Sequence, residues 1–197
     1  MTQFYDISDN TAYQRGMPEI QAIVVGLQVH EACSTCGVKR RRPKGDLLVR
    51  LGKTNARIWP DLLACGDYPC FVISERFLNA MRGCGVRIVL GGHVDFVEPN
   101  ENGFSLEDAP RYYWVDGERC RAAKMDFEAS GYIDVRFCPE CGIRSDDISR
   151  THKRQRSIPH PAQVFNYEAS LGFDLFTTDL APTTFFCTDR VMACARE

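Results

Sequence analysis

Four cysteines in two short clips, Cys33-Ser34-Thr35-Cys36-Gly37 and Cys138-Pro139-Glu140-Cys141-Gly142, are the residues of this chain best suited to chemistry. Four thiolates offered as two Cys-x-x-Cys knuckles are the ligand set of a tetrahedral zinc ion. In such a clip backbone N–H groups turn toward the sulfurs, and the trailing glycine takes a positive φ that a side chain would resist. A zinc ion held by Cys33, Cys36, Cys138 and Cys141 has no position left for water, so its work is structural rather than catalytic. The competing reading is two independent thiol pairs or free buried cysteines. His30, three residues before Cys33, is a further candidate ligand or a strand-end residue.

The clips are unusually far apart. Ordinary ribbons separate their cysteine pairs by roughly 15–20 residues, whereas Gly37 to Phe137 intervene here. Loop-closure entropy grows slowly with length, so a folded insert whose ends lie together adds little to that cost. The remaining cysteines, Cys65, Cys70, Cys84, Cys120, Cys187 and Cys194, form no paired clip and read as small apolar core residues. Ten cysteines behind a start, Met1-Thr2-Gln3-Phe4-Tyr5-Asp6, that has no basic or apolar leader favour a reducing compartment, with the cytoplasm as the default and no membrane. No phosphate-binding glycine loop, His-Glu-x-x-His helix or Gly-x-Ser-x-Gly elbow occurs, and His93, His152 and His160 stand beside no evident nucleophile, so the expectation is a protein that is not an enzyme.

The elements that must carry the clips follow from periodicity. Ile23, Val25, Leu27 and Val29 alternate into the first clip, and Ile133, Val135 and Phe137 into the second, which puts each knuckle at a strand end. A second similarity links Asp61-Leu62, Pro69 and Ser74-Glu75-Arg76-Phe77-Leu78 to Asp174-Leu175, Pro182 and Thr188-Asp189-Arg190-Val191-Met192. Each reads as a strand, a Ser or Thr N-cap, an acid in the first turn and an amphipathic helix. Val86–Leu90 and Val94–Val97 read as strands around a Gly91-Gly92 hairpin turn. The stretch 99–110 reads as a protruding loop, Arg111–Val115 as a strand, and 145–161 as a polar connection. The sum is one compact α+β domain over 1–197. It has zinc-ribbon-like knuckles at 29–38 and 137–143, an inserted strand–helix unit and acidic loop at 59–118, and a second strand–helix unit at 171–197 that is a candidate internal duplication.

Charge is poled although the net charge is only −2. Lys39 to Arg57 holds eight basic residues against Asp46, and His93 to Glu118 holds seven acidic residues against Arg111. Arg40, Arg41, Arg42 and Lys44 after one knuckle, with Arg150, Lys153, Arg154 and Arg156 after the other, offer a nucleic-acid-binding alternative. The acidic insert and the lack of an aromatic–basic stacking pattern weigh against it.

With Cys33, Cys36, Gly37, Cys138, Cys141, Gly142 and the two strand–helix units together, the chain resembles the bacterial double-CXXCG motif proteins. Several members of that family are immunity proteins of contact-delivered polymorphic toxins. The resemblance implies a zinc-stapled scaffold that binds and neutralises a cognate protein toxin by occlusion. Electrostatic steering then makes Asp95, Glu98, Glu101, Glu107 and Asp108 candidate contacts, with Phe104, Tyr112, Tyr113 and Trp114 as candidate anchors.

Overall fold

A computed structural model describes residues 4–7, 22–29, 32–39, 41–42, 45–52, 58–65, 70–97, 105–117, 119–142, 144–157, 165–166, 172–178 and 185–194. In chain order its strands are β1 (Phe4–Ile7), β2 (Ala22–Val25), β3 (Gln28–Val29), β4 (Arg41–Arg42), β5 (Leu47–Leu51), β6 (Leu62–Ala64), β7 (Cys70–Ser74), β8 (Leu90–Phe96), β9 (Tyr112–Asp116), β10 (Arg121–Met125), β11 (Arg136–Phe137), β12 (Arg144–Ser145), β13 (Phe165–Asn166), β14 (Leu175–Thr178) and β15 (Phe185–Thr188). Helices span Glu75–Gly83, Ile148–Ser157 and Asp189–Cys194. The class is α+β, with strands in the majority.

Two mixed sheets carry the core. The larger has the order β2-β5-β8-β9-β7-β6, the smaller β1-β15-β14-β10-β13. Each contains one parallel pairing, β5 with β8 and β10 with β14. All five residues of β7 are buried, which its unbroken apolar run Cys70-Phe71-Val72-Ile73 requires of a strand covered on both faces. Cys70 and Val72 face a cluster with Leu47, Val49, Leu51, Tyr112 and Trp114. Phe71 and Ile73 face the opposite cluster, where Leu78 and Met81 of one helix meet Leu175, Phe185, Cys187 and Val191. Full burial of such a side chain stabilises by about 1.5–3 kcal/mol, so β7 and its two coverings are the centre of the fold. Phe176 and Phe186 stack on the far face of the smaller sheet.

Both strand–helix units form, and they share one set of hydrogen bonds. In the first, the Ser74 hydroxyl accepts from the Phe77 N–H, capping Glu75–Gly83, and donates to Asp61 Oδ1 at 2.5 Å. Arg76 donates to both Asp61 oxygens, and the Ser74 N–H bonds the Asp61 carbonyl. In the second, Thr188 Oγ1 donates to Asp174 Oδ1 at 2.9 Å, Arg190 reaches Asp174 Oδ2 at 3.2 Å, and the Thr188 N–H bonds the Asp174 carbonyl. Both hairpins, β6–β7 and β14–β15, are antiparallel. An aspartate before one strand thus ties down the cap and the first arginine of the helix after the next.

Several expectations are corrected. The alternating run into the first clip is cut at Gly26, whose φ of +70° splits it into β2 in the large sheet and β3 in a separate hairpin with β4. Only Arg136–Phe137 of the run into the second clip is strand, paired with β12. Gly91 and Gly92 form no turn, because β8 passes straight through them with a register shift beside β9. The reason is Trp114: a Cβ on Gly91 would stand 2.2 Å from its ring. The glycine supplies the room for the indole that a turn would have been invoked to explain. Gly91→Ala should therefore destabilise by about 1–3 kcal/mol through overpacking, seen as a thermal midpoint lower by roughly 2–12 °C; an unchanged midpoint would mean that the indole relocates freely.

Cys65, Cys70, Cys120, Cys187 and Cys194 are buried as expected, but Cys84 is exposed just beyond its helix. The stretch 145–161 contains the helix Ile148–Ser157 instead of an unbroken connection. Its start is fixed by Asp147, whose carboxylate accepts from the Arg150 N–H and whose carbonyl accepts from Thr151. No described helix is long and apolar enough to cross a membrane.

Candidate metal centre

Two short hairpins present the cysteines. Cys33–Cys36 lies between β3 and β4, and Cys138–Cys141 between β11 and β12. Each turn closes in the same way: the Gly37 N–H donates to the Cys33 carbonyl at 2.8 Å and the Gly142 N–H to the Cys138 carbonyl at 2.9 Å. Gly37 and Gly142 have φ of +70° and +66°, the left-handed conformation that closes the clip at least cost in glycine. The local rule written in the sequence is thus met twice.

The insert returns as the shared-site reading requires. The sulfurs of Cys33 and Cys138 are 3.6 Å apart, those of Cys36 and Cys141 3.5 Å, and all four lie within 4.8 Å of one another. A tetrahedron with metal–sulfur bonds of about 2.3 Å has sulfur–sulfur edges of about 3.8 Å. The set therefore fits one zinc ion, with two ligands from each hairpin. Among the described residues no second group of three or more His, Cys, Asp or Glu is placed to hold a metal. Cys138 is the innermost ligand at 9% exposure, while Cys36 is on the surface.

Backbone N–H groups prepare the thiols for a cation. Those of Cys141 and Glu140 point at the Cys138 sulfur and bring it down to about 7. Those of Cys36 and Thr35 do the same for Cys33, but desolvation and the neighbouring thiols outweigh them and push it up to about 12. Cys36 likewise rises despite the Val38 N–H, through desolvation and Cys141. One thiolate forms readily and the next is opposed, since like charges cannot crowd together without a counter-charge. A divalent ion bound there would supply that counter-charge and favour the thiolate form of the ligands.

Glu140, inside the second clip, joins it to the first. Its Oε2 accepts from Ser34 Oγ at 2.6 Å, Thr35 Oγ1 at 2.8 Å and the Thr35 N–H at 3.1 Å, with the Cys33 thiol at 3.4 Å. The Ser34 and Thr35 donors hold its carboxyl down at about 2, so it is a carboxylate throughout the neutral range. The two intervening residues of the first clip and the second of the other were unassigned in the sequence, yet Ser-Thr facing Glu was the signal for a contact between clips. Glu140→Gln should weaken zinc binding by about tenfold or more, the usual scale for groups that orient ligands. Competition with a chromophoric chelator measures it, and equal affinity of the two proteins would deny Glu140 this role.

The other candidate residues scatter. Asp95, Glu107 and Asp108 are exposed, the last two on a 3₁₀ turn over Leu106–Asp108. Tyr112 and Trp114, at 1% and 5% exposure, are core residues of the large sheet and offer no face as anchors; alternation along β9 turns both inward. Tyr113 is half-buried, with its hydroxyl donating to Glu75 Oε1 at 3.1 Å. Glu98, Glu101 and Phe104 lie outside the described residues, as do His30, Arg40, Lys44 and His160. His93 is exposed and its backbone N–H is held by Asp46. Comparison with protein-family models, with curated proteins and with solved structures found no match to the chain.

Proposed function

We propose that a zinc ion held by Cys33, Cys36, Cys138 and Cys141 staples a zinc-ribbon-like junction, and that the protein is an immunity protein that binds and neutralises a cognate toxin by occlusion. The observation that carries the structural-zinc part is the sulfur geometry. Protein thiols take all four tetrahedral positions, so the ion stabilises and offers no site for a reacting water. Inhibition then belongs to the surface. The resemblance carried by the two Cys-x-x-Cys-Gly clips supports the immunity role, and the exposed Asp95, Glu107 and Asp108 support steering toward a basic cleft. With Tyr112 and Trp114 inside, the described contact candidates narrow to those acids and Tyr113. The shared Asp61 and Asp174 hydrogen bonds support reading the two strand–helix units as an internal duplication.

The test is co-purification with the product of the neighbouring gene, followed by titration calorimetry and a survival assay in cells expressing that product. Stoichiometric binding with a dissociation constant in the nanomolar range or below, together with protection, is the expected result. Neither binding nor protection would end the inhibitor reading, and the metal staple would stand apart from that outcome.

A further inference from the structure

We propose that the junction of the two hairpins, together with the helix Ile148–Ser157, is a binding surface for single-stranded nucleic acid. This inference does not rest on the inhibitor reading. The thiol cluster joins segments more than a hundred residues apart in sequence, since Cys33 and Cys138 are separated by 105 positions. By doing so it brings the two hairpins together at their tips. Arg41–Arg42 is the strand returning from one knuckle, and Arg144 lies on the strand returning from the other.

The helix adds more. It is anchored through Thr151, whose hydroxyl accepts from the Ile133 N–H, and through Gln155, which donates to the Ser130 carbonyl. Thr151 is its only buried residue. Such a helix gains almost nothing from apolar packing, while Lys153 and Arg156 stand exposed on it. Arg150 is paired with Asp134, and Arg156 Nε donates to the His152 carbonyl of the helix itself at 3.3 Å.

An aromatic beside the cations points to bases as well as phosphates. Phe137 is 53% exposed on β11, next to Cys138, and Arg144 lies 4.1 Å from its ring centre. A large exposed ring beside an arginine is what unpaired bases stack on, and duplex bases, already stacked, cannot use it. The aromatic–basic pattern invisible along the sequence is thus assembled in space by pairing β11 with β12.

Fluorescence anisotropy of the zinc-loaded protein with a dye-labelled oligouridine of about 20 nucleotides tests the proposal, with a duplex of equal length and poly-glutamate as competitors. Binding should weaken steeply between about 50 and 200 mM salt. The variant Arg136→Gln/Lys153→Gln/Arg156→Gln, all exposed positions, should bind at least tenfold more weakly and flatten the log–log salt slope by about 2. Phe137→Ala should weaken the oligouridine by about tenfold and leave the salt slope unchanged. Zinc content and circular dichroism of each variant must match the parent, which separates lost binding from lost folding. Failure of the oligouridine to bind at low salt, equal competition by poly-glutamate or duplex, or an unaffected triple variant would each overturn the proposal.

Discussion

Cys138→Ser is expected to remove zinc and cooperative unfolding together. Structural zinc contributes an apparent binding energy of about 10–16 kcal/mol, which matches or exceeds the roughly 5–15 kcal/mol that stabilises a typical domain. Cys138 is the most buried of the four cysteines, and backbone N–H groups bring its thiol down to about 7, so its loss leaves a poor remaining site. Elemental analysis should give one zinc per chain for the parent and little for the variant, and denaturant unfolding should lose its single steep transition. Cys33→Ser should behave alike, because each hairpin supplies half of the tetrahedron. A full zinc complement in the double variant Cys33→Ser/Cys36→Ser would break the shared-site idea, since the second clip alone offers two sulfurs.

The next largest effect should come from Asp174→Ala. Its side chain is 8% exposed and accepts from the Arg87 N–H at 2.9 Å, from Thr188 Oγ1 and from Arg190, while its own N–H bonds the Arg87 carbonyl. Removing it takes the acceptor from the buried Thr188 hydroxyl and from the part-buried Arg87 N–H, at about 1–3 kcal/mol for each buried bond lost, and frees the Arg190 guanidinium, which is half in water and adds less. A loss of about 3 kcal/mol or more is expected. Asp61→Ala removes the matching contacts in the other unit but should cost only about 1 kcal/mol, because Asp61 is 34% exposed and Arg76 78% exposed, so water takes over. Chemical denaturation of both variants decides this; equal losses would show that burial is not what separates the two sites. Asp61 also carries a pH signature. Burial would raise its carboxyl, but hydrogen bonds from Arg76 and Ser74 hold it below its ordinary value. Its contribution is present above that value and lost as pH falls through the carboxylate range.

What could be read in the sequence was what local chemistry dictates. The two clips, their trailing glycines and the Ser74 and Thr188 ends of the strand–helix units follow from rules spanning four or five residues, and each appears where its spacing placed it. The convergence of four sulfurs was legible only as a demand of the metal, yet the chain meets it across 105 residues. What failed depended on partners far away. Gly91 and Gly92 look like a turn until Trp114 is laid over them. The helix Ile148–Ser157 buries only Thr151, so it has no apolar stripe for periodicity to find, and Asp147 was its one signal. Tyr112 and Trp114 were misplaced as anchors because an aromatic triplet reads the same whether its strand faces solvent or core. Glu140 carries no signal along its own stretch of sequence because its role exists only between clips.

The pairing of β1 with β15 sets the order in which this protein can acquire its structure. Phe4 lies opposite Thr188 and Ile7 opposite Phe185, so the first described strand waits for almost the whole chain before its hydrogen bonds exist. The β14–β15 hairpin is local, but its parallel pairing with β10 reaches back about fifty residues and cannot form by a hairpin. During synthesis the larger sheet, complete by Asp116, can assemble while the smaller one has only fragments. The Cys33–Cys36 clip is then a half-site, able to hold a metal weakly until Cys138 and Cys141 arrive. High contact order of this kind slows folding and prolongs the exposure of unpaired edges. A metal bound once residue 141 has been made would therefore be in place before the smaller sheet closes, and would fix the junction on which its last strands assemble.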